Sequence, residues 1–184
     1  VNQKLIQLGV LNILEGLGAD IKHPDFKRTP ERVARMYKEL LGPPKITWSM
    51  FPGHGYAEMI VHRGHQTWGM CPHHLLPISM EVAVGYIPRS KGYVPGLSKI
   101  PRLVEKFARR LVIQEAVGVD VVDFLMKRLK LQGAACVIKG EHLCMKMRGV
   151  KSSGHVTTSA LAGVFFEKPE VRAEFMAIVN GNGR

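Results

Sequence analysis

Ile78-Ser79-Met80-Glu81-Val82-Ala83-Val84-Gly85-Tyr86-Ile87 alternates between large apolar residues and smaller or charged ones. Ile78, Met80, Val82, Val84 and Tyr86 fall on one side, and Ser79, Glu81, Ala83 and Gly85 on the other. Side chains of a strand point alternately to its two faces, so this stretch reads as a β-strand with one face in a core. A weaker alternation precedes it at 57–68, where Met59 and Val61 oppose Glu58 and Ile60. Pro88 to Gly96 reads as a turn region. Further strands are expected at about 133–141, 144–150 and 156–166.

Two helices separate the strand pairs. Ser98 opens the first, whose apolar stripe is Ile100, Leu103, Val104, Phe107, Ala108 and Leu111. The second runs from about Gln114 to Leu129, and Pro169 starts a short last helix. Upstream, residues 2–17 carry Leu5, Leu8, Leu11 and Ile13 and read as a helix ended by Gly16, Gly18 and Asp20. Thr29-Pro30-Glu31 is a helix start, with Thr29 as cap and Pro30 at the first helical position. Val33, Met36, Tyr37, Leu40 and Leu41 follow at helical spacing, and Gly42-Pro43-Pro44 stops the helix. Residues 45–56 read as a loop. This order predicts an α+β fold, antiparallel strands with helices on one face. It divides into an N-terminal helical region, 1–44, and a second region, 45–184.

Composition sets the outer limits. Of 184 residues 46% are hydrophobic and 22% charged, which is globular and excludes a disordered chain. No apolar run reaches the roughly 18 residues of a membrane span. The first twenty residues carry one Lys and no long apolar run, so no secretory leader is expected. Three cysteines cannot close a disulfide set, which favours a reducing, cytoplasmic setting. A net charge of +11 favours polyanionic partners. Those partners are nucleic acid, an acidic membrane or a phosphorylated small molecule; the cations are scattered, as in Lys27-Arg28 and Arg109-Arg110, which weakens the nucleic-acid reading and leaves a merely solvated basic surface as the alternative.

Two clusters carry metal chemistry. Cys71-Pro72-His73-His74 offers a cysteine and a histidine three apart, and Glu141-His142-Leu143-Cys144 a second pair. Thiolate and imidazole are the donors zinc prefers. Two Cys and three His form the pool; three ligands would leave two histidines for acid–base work near neutral pH. Cys136, within Ala134-Ala135-Cys136-Val137-Ile138, reads as a core residue.

Other residues point to an anionic, purine-bearing ligand. Gly96-Leu97-Ser98-Lys99-Ile100-Pro101-Arg102 is a helix start whose free N–H groups, with Lys99 and Arg102, suit an anion. Arg148 is one more cation beyond the second cluster. Arg32 and Arg35, off the apolar stripe of their helix, can meet one anion. The Gln114-Glu115 pair offers a carboxylate that matches adjacent N–H and NH2 donors of a purine such as guanine.

With these residues in place the chain closely resembles zinc-dependent GTP cyclohydrolase I. The resemblance rests on Cys71-Pro72-His73-His74-Leu75-Leu76-Pro77, Gly85-Tyr86-Ile87-Pro88, Gly96-Leu97-Ser98-Lys99, Gln114-Glu115, His142-Leu143-Cys144-Met145 and Met147-Arg148-Gly149-Val150. Phe107-Ala108-Arg109-Arg110-Leu111, Thr157-Thr158-Ser159-Ala160, Gly163-Val164-Phe165 and Thr29-Pro30-Glu31-Arg32-Val33-Ala34 extend it over about residues 15–178.

The resemblance implies a tunnelling fold, an antiparallel sheet with two long helices on one face, assembled as pentameric rings stacked into decamers. It implies Zn2+ held by Cys71, His74 and Cys144, and water attack on C8 of the guanine of GTP. Formate leaves, and rearrangement gives 7,8-dihydroneopterin triphosphate, a precursor for folate, pterin or 7-deazaguanine synthesis. His73 and His142 match the proton-transfer positions, Glu115 with Gln114 the guanine anchor, and Ser98 a polar contact near the ribose. Lys99, Arg102 and Arg148, with Arg32 and Arg35 of a neighbouring subunit, match the triphosphate clamp. The family usually has Glu between the Cys and the first His; here Pro72 stands there, which removes a carboxylate and an N–H. The rival readings are an inactive or altered-specificity homologue that binds purine or pterin, a related nitrile reductase, and a zinc-stabilised nucleic-acid module. The nitrile reductase needs a nucleophilic Cys outside a metal site.

Overall fold

The computed structural model describes Val1–Gly181; residues 182–184, the end of the second region read from the sequence, lie outside the described residues. The chain divides into two compact units, Val1–Gly42 and Pro43–Arg184.

The first unit holds α1 (Gln3–Gly16) and α2 (Thr29–Leu40). Asn2 caps α1, its side chain accepting from the Leu5 N–H. Pro30 sits in the first turn of α2, where its missing N–H costs nothing. Thr29 is the first helical residue rather than the cap, and its hydroxyl donates back to the Asp25 carbonyl. Ala34 and Pro30 are the buried residues of α2, whereas Met36, placed on the apolar stripe by its spacing, is exposed.

The second unit is built on a four-stranded antiparallel sheet in the order β2-β3-β5-β6. Its strands are β2 (Ile60–Met70), β3 (Pro77–Ile87), β5 (Gly133–His142) and β6 (Val156–Gly163). A two-stranded ribbon pairs β1 (Met50–Pro52) with β4 (Tyr93–Pro95), inside stretches that the sequence reading left as loop and turn. The helices between the strand pairs are α3 (Lys99–Ala108) and α4 (Gln114–Leu129).

Alternation along the strands decides the layers. Ile78, Met80, Val82, Val84 and Tyr86 share one buried cluster with Ala134, Cys136 and Ile138 of β5. Leu103 and Val104 of α3 and Val117, Val121 and Leu125 of α4 complete that cluster. The helices cover this face because their apolar stripes must leave water. The opposite face is divided. Ala83, Ala135 and Val137 pack under Phe165 of α6 (Val164–Glu167) and Phe175 of α7 (Pro169–Val179). Helices on a single face were expected; the C-terminal pair instead covers part of the second face. Beyond it a groove is lined by Gln66, Ser79, Glu81, Lys139, Glu141 and His155.

Two element boundaries differ from the sequence reading. The strand expected at 144–150 is a helical turn, α5 (Leu143–Lys146), closed by the Met147 N–H donating to the Leu143 carbonyl at 3.0 Å. The helix expected to run to Leu111 ends at Ala108, and Leu111 bridges to Met70. Among the described residues no helix is long and apolar enough to cross a membrane.

Candidate metal centre and active site

The β3–β5 register places Ile78 opposite His142. The loop from Cys71 to Leu76, between β2 and β3, therefore lies beside α5, which continues β5. That loop is tied at its base: the Cys71 N–H donates to the Leu76 carbonyl and the Leu75 N–H to the Cys71 carbonyl, each at 2.9 Å. Pro72 is exposed in this turn, and neither closing bond uses its nitrogen.

From the pool of two Cys and three His, the fold gathers Cys71, His74 and Cys144. One donor atom from each lies within 4.8 Å of the others. Cys71 is buried, Cys144 half-buried and His74 exposed. The Cys71 Sγ lies 3.8 Å from His74 Nδ1. Zinc, with Zn–S near 2.3 Å and Zn–N near 2.0 Å, holds tetrahedral donors about 3.5 Å apart, so the spacing suits such an ion. The donor chemistry fits too. Burial pushes the Cys144 thiol up, and the neighbouring Cys71 adds to it through its hydrogen bond and charge. A divalent cation would remove the conflict between two adjacent thiolates.

The other histidines take different places. His73 Nδ1 is also 3.8 Å from Cys71 Sγ, but His73 is not in the group that includes Cys144. His142, the last residue of β5, is half-buried, and its Nε2 lies 2.9 Å from Gln114 Oε1, an atom that only accepts. Burial lowers its pKa from the ordinary 6.5, opposed by the charge of Glu115. Cys136 is fully buried, and burial alone pushes its thiol up to about 12, which makes it an inert core residue.

The expected ligand-binding residues separate into groups. Arg148 reaches the metal ligands: its guanidinium lies 2.9 Å from His74 Nε2. Glu115 is exposed in the first turn of α4. Ser98, Lys99 and Arg102 stand at the start of α3, where Ser98 makes no side-chain cap bond. Arg32 and Arg35 are exposed on α2 in the first unit. Gln114 is placed differently from its expected role as a guanine contact. It is 1% exposed, and its amide nitrogen already meets Ile138 O, Val156 O and Thr158 Oγ1. The sequence signal for that inward role was absent, because it depends on Gly140 across the sheet.

The family model described as GTP cyclohydrolase I matches residues 6–180. The GTP cyclohydrolase 1 of Dehalococcoides mccartyi is 41% identical over 99% of both chains. That of Aquifex aeolicus is 42% identical over 98% of both. That of Carboxydothermus hydrogenoformans is 41% identical over 97% of this chain and 95% of the relative. By the family match and these near-full-length relatives, the chain belongs to the GTP cyclohydrolase I family.

Proposed function

We propose that this protein is a zinc-dependent GTP cyclohydrolase I. It opens the imidazole ring of the guanine of GTP at C8, releases formate and yields 7,8-dihydroneopterin triphosphate. The observation that carries the reading is the Cys71–His74–Cys144 donor group in a chain related to this family over nearly its whole length. A nitrile reductase needs a free nucleophilic cysteine; Cys136 is too deeply buried and Cys71 and Cys144 are better used as ligands.

Cys71, His74 and Cys144 would hold zinc through three donors, leaving a coordination position open. When bound, the ion supplies Lewis acidity that makes water nucleophilic near neutral pH. The rest falls to the chain. His142 and His73 take and return protons as the ring opens. Glu115 accepts from the adjacent N–H and NH2 groups of guanine, a bidentate match. Ser98 contacts the ribose. Lys99, Arg102 and Arg148 hold the triphosphate, together with Arg32 and Arg35 of a neighbouring copy; several cations converging on one polyanion bind and orient it.

The second unit is then the catalytic domain with a tunnelling fold, and the first a helical region serving assembly. Pentameric rings stacked as a decamer would bring Arg32 and Arg35 to the site. Three free cysteines suit the reducing cytoplasm. The test is anaerobic incubation of purified protein with GTP, following formate and dihydropterin absorbance, with metal analysis of the same sample. One formate per GTP and about one zinc per chain are expected. Zinc without turnover would overturn the reading.

A further inference from the structure

We infer that Gln114 is a positioning residue that fixes the tautomer of His142, and that Gly140 is the residue that lets it do so. The inference rests on the proposed role of His142 in proton transfer. Its geometry stands apart from that role.

Strand alternation puts Ile138, Gly140 and His142 on one face of β5, the face covered by α4. Gln114 opens α4 and lies over the middle of these three. A Cβ built on Gly140 would sit 1.9 Å from Gln114 Oε1 and 2.8 Å from Cδ. Only a residue without a side chain leaves room for the carboxamide.

The orientation of that carboxamide is decided by its surroundings. Its nitrogen end lies 3.0 Å from Ile138 O, 3.0 Å from Val156 O and 3.1 Å from Thr158 Oγ1. Two of these are backbone carbonyls, which only accept, so the NH2 must face them. The Oε1 end then faces His142 Nε2 at 2.9 Å. A carbonyl oxygen cannot donate, so the hydrogen of that bond belongs to His142 Nε2. In the neutral ring Nδ1 is left as the one basic nitrogen.

Gln114 thus ties β5, β6 and the His142 ring together while it is 1% exposed. Its neighbour Glu115 faces solvent. One residue of the pair orients the proton carrier, and the other is left for the substrate. Loss of the amide would let the ring turn or exchange tautomers, which lowers kcat without weakening GTP binding.

The experiment is magic-angle-spinning nitrogen NMR of the whole assembly labelled at histidine. The His142→Asn protein assigns the His142 signals among eight histidines. Wild-type His142 is expected to show a protonated Nε2 and an unprotonated Nδ1. Gln114→Met and Gly140→Ala should each mix or invert that pattern, with kcat lower by about a hundredfold and KM for GTP within about twofold. An unprotonated Nε2 in neutral wild-type His142 overturns the inference and needs no variant to fold. A Gln114→Met protein with raised KM and unchanged kcat overturns it as well, since Gln114 would then be a substrate contact. If wild-type protein releases no formate, the proposed function fails while the tautomer still decides the role of Gln114.

Discussion

Ile78 on β3 stands directly opposite His142 on β5, at the end of their antiparallel ladder. This one register pair brings two stretches some seventy residues apart into one site. Cys71 and His74 precede Ile78 in the loop, and Cys144 follows His142 in a helical turn. A one-residue slip of the ladder would turn every side chain of β5 to the other face and remove the site.

The first prediction concerns the metal. Cys144→Ser replaces a thiolate by a hydroxyl, a poor zinc ligand, in the middle of the donor group. Bound zinc and formate release should be lost together, read by metal analysis and activity on one sample. Full zinc occupancy in the variant would remove Cys144 from the ligand set.

The second concerns metal removal. Cys136 is 0% exposed with its thiol pushed up to about 12, whereas Cys144 is half-buried. Folded, zinc-loaded protein should resist alkylation at all three thiols. A chelator should expose Cys144 and then Cys71, and Cys136 should react only after unfolding. Peptide mass spectrometry reads the order; early labelling of Cys136 would contradict the assigned core position.

A third follows from Glu105 on α3, which lies 3.1 Å from His65 on β2. Burial pushes its carboxyl up, but the hydrogen bond with His65, the nearby Thr67 hydroxyl and the charges of His65 and Arg109 outweigh burial, so its pKa is lowered from 4.5. A carboxyl with a depressed folded pKa stabilises the fold above its unfolded value, and that stability is lost as pH falls through the folded value. Glu105→Gln should cost up to about 1 kcal/mol at pH near 7. The difference should close as pH drops below about 4.5. Denaturant titrations across that range check it; a constant difference would contradict the assignment.

The fourth separates fold from site. Phe175 is 0% exposed and meets Phe165 edge-on, with ring centroids 5.5 Å apart. It lies on the sheet face away from α3 and α4, where a Cβ on Gly85 would meet its ring at 2.7 Å. Phe175→Ala should destabilise the protein by about 3–5 kcal/mol. Zinc content of the folded fraction should stay unchanged, by denaturant titration and metal analysis.

The sheet was legible where alternation ran long. β3 was read within one residue because ten positions alternate between core and outer face. The β1–β4 ribbon was not, since each strand has three residues including a proline, too few for a period to show. Residues 144–150 imitate a strand because Met145 and Met147 alternate with Lys146 and Arg148, yet backbone bonds close a turn there. In the site, ligand types were legible and their selection was not: His73 and His74 are equal in sequence and separated only by the loop geometry. Gln114 is paired with Glu115 as a guanine anchor in the sequence, because a helix start cannot reveal, without Gly140 across the sheet, that its side chain has room to turn in.

The central claim is excision of C8 from the guanine ring. The most direct measurement uses GTP isotopically labelled at C8, incubated with zinc-loaded protein and followed by carbon NMR. The label should pass entirely into formate while an unlabelled dihydroneopterin triphosphate accumulates. Label that stays in the purine, or remains attached to a ring-opened product with no formate, would contradict the account.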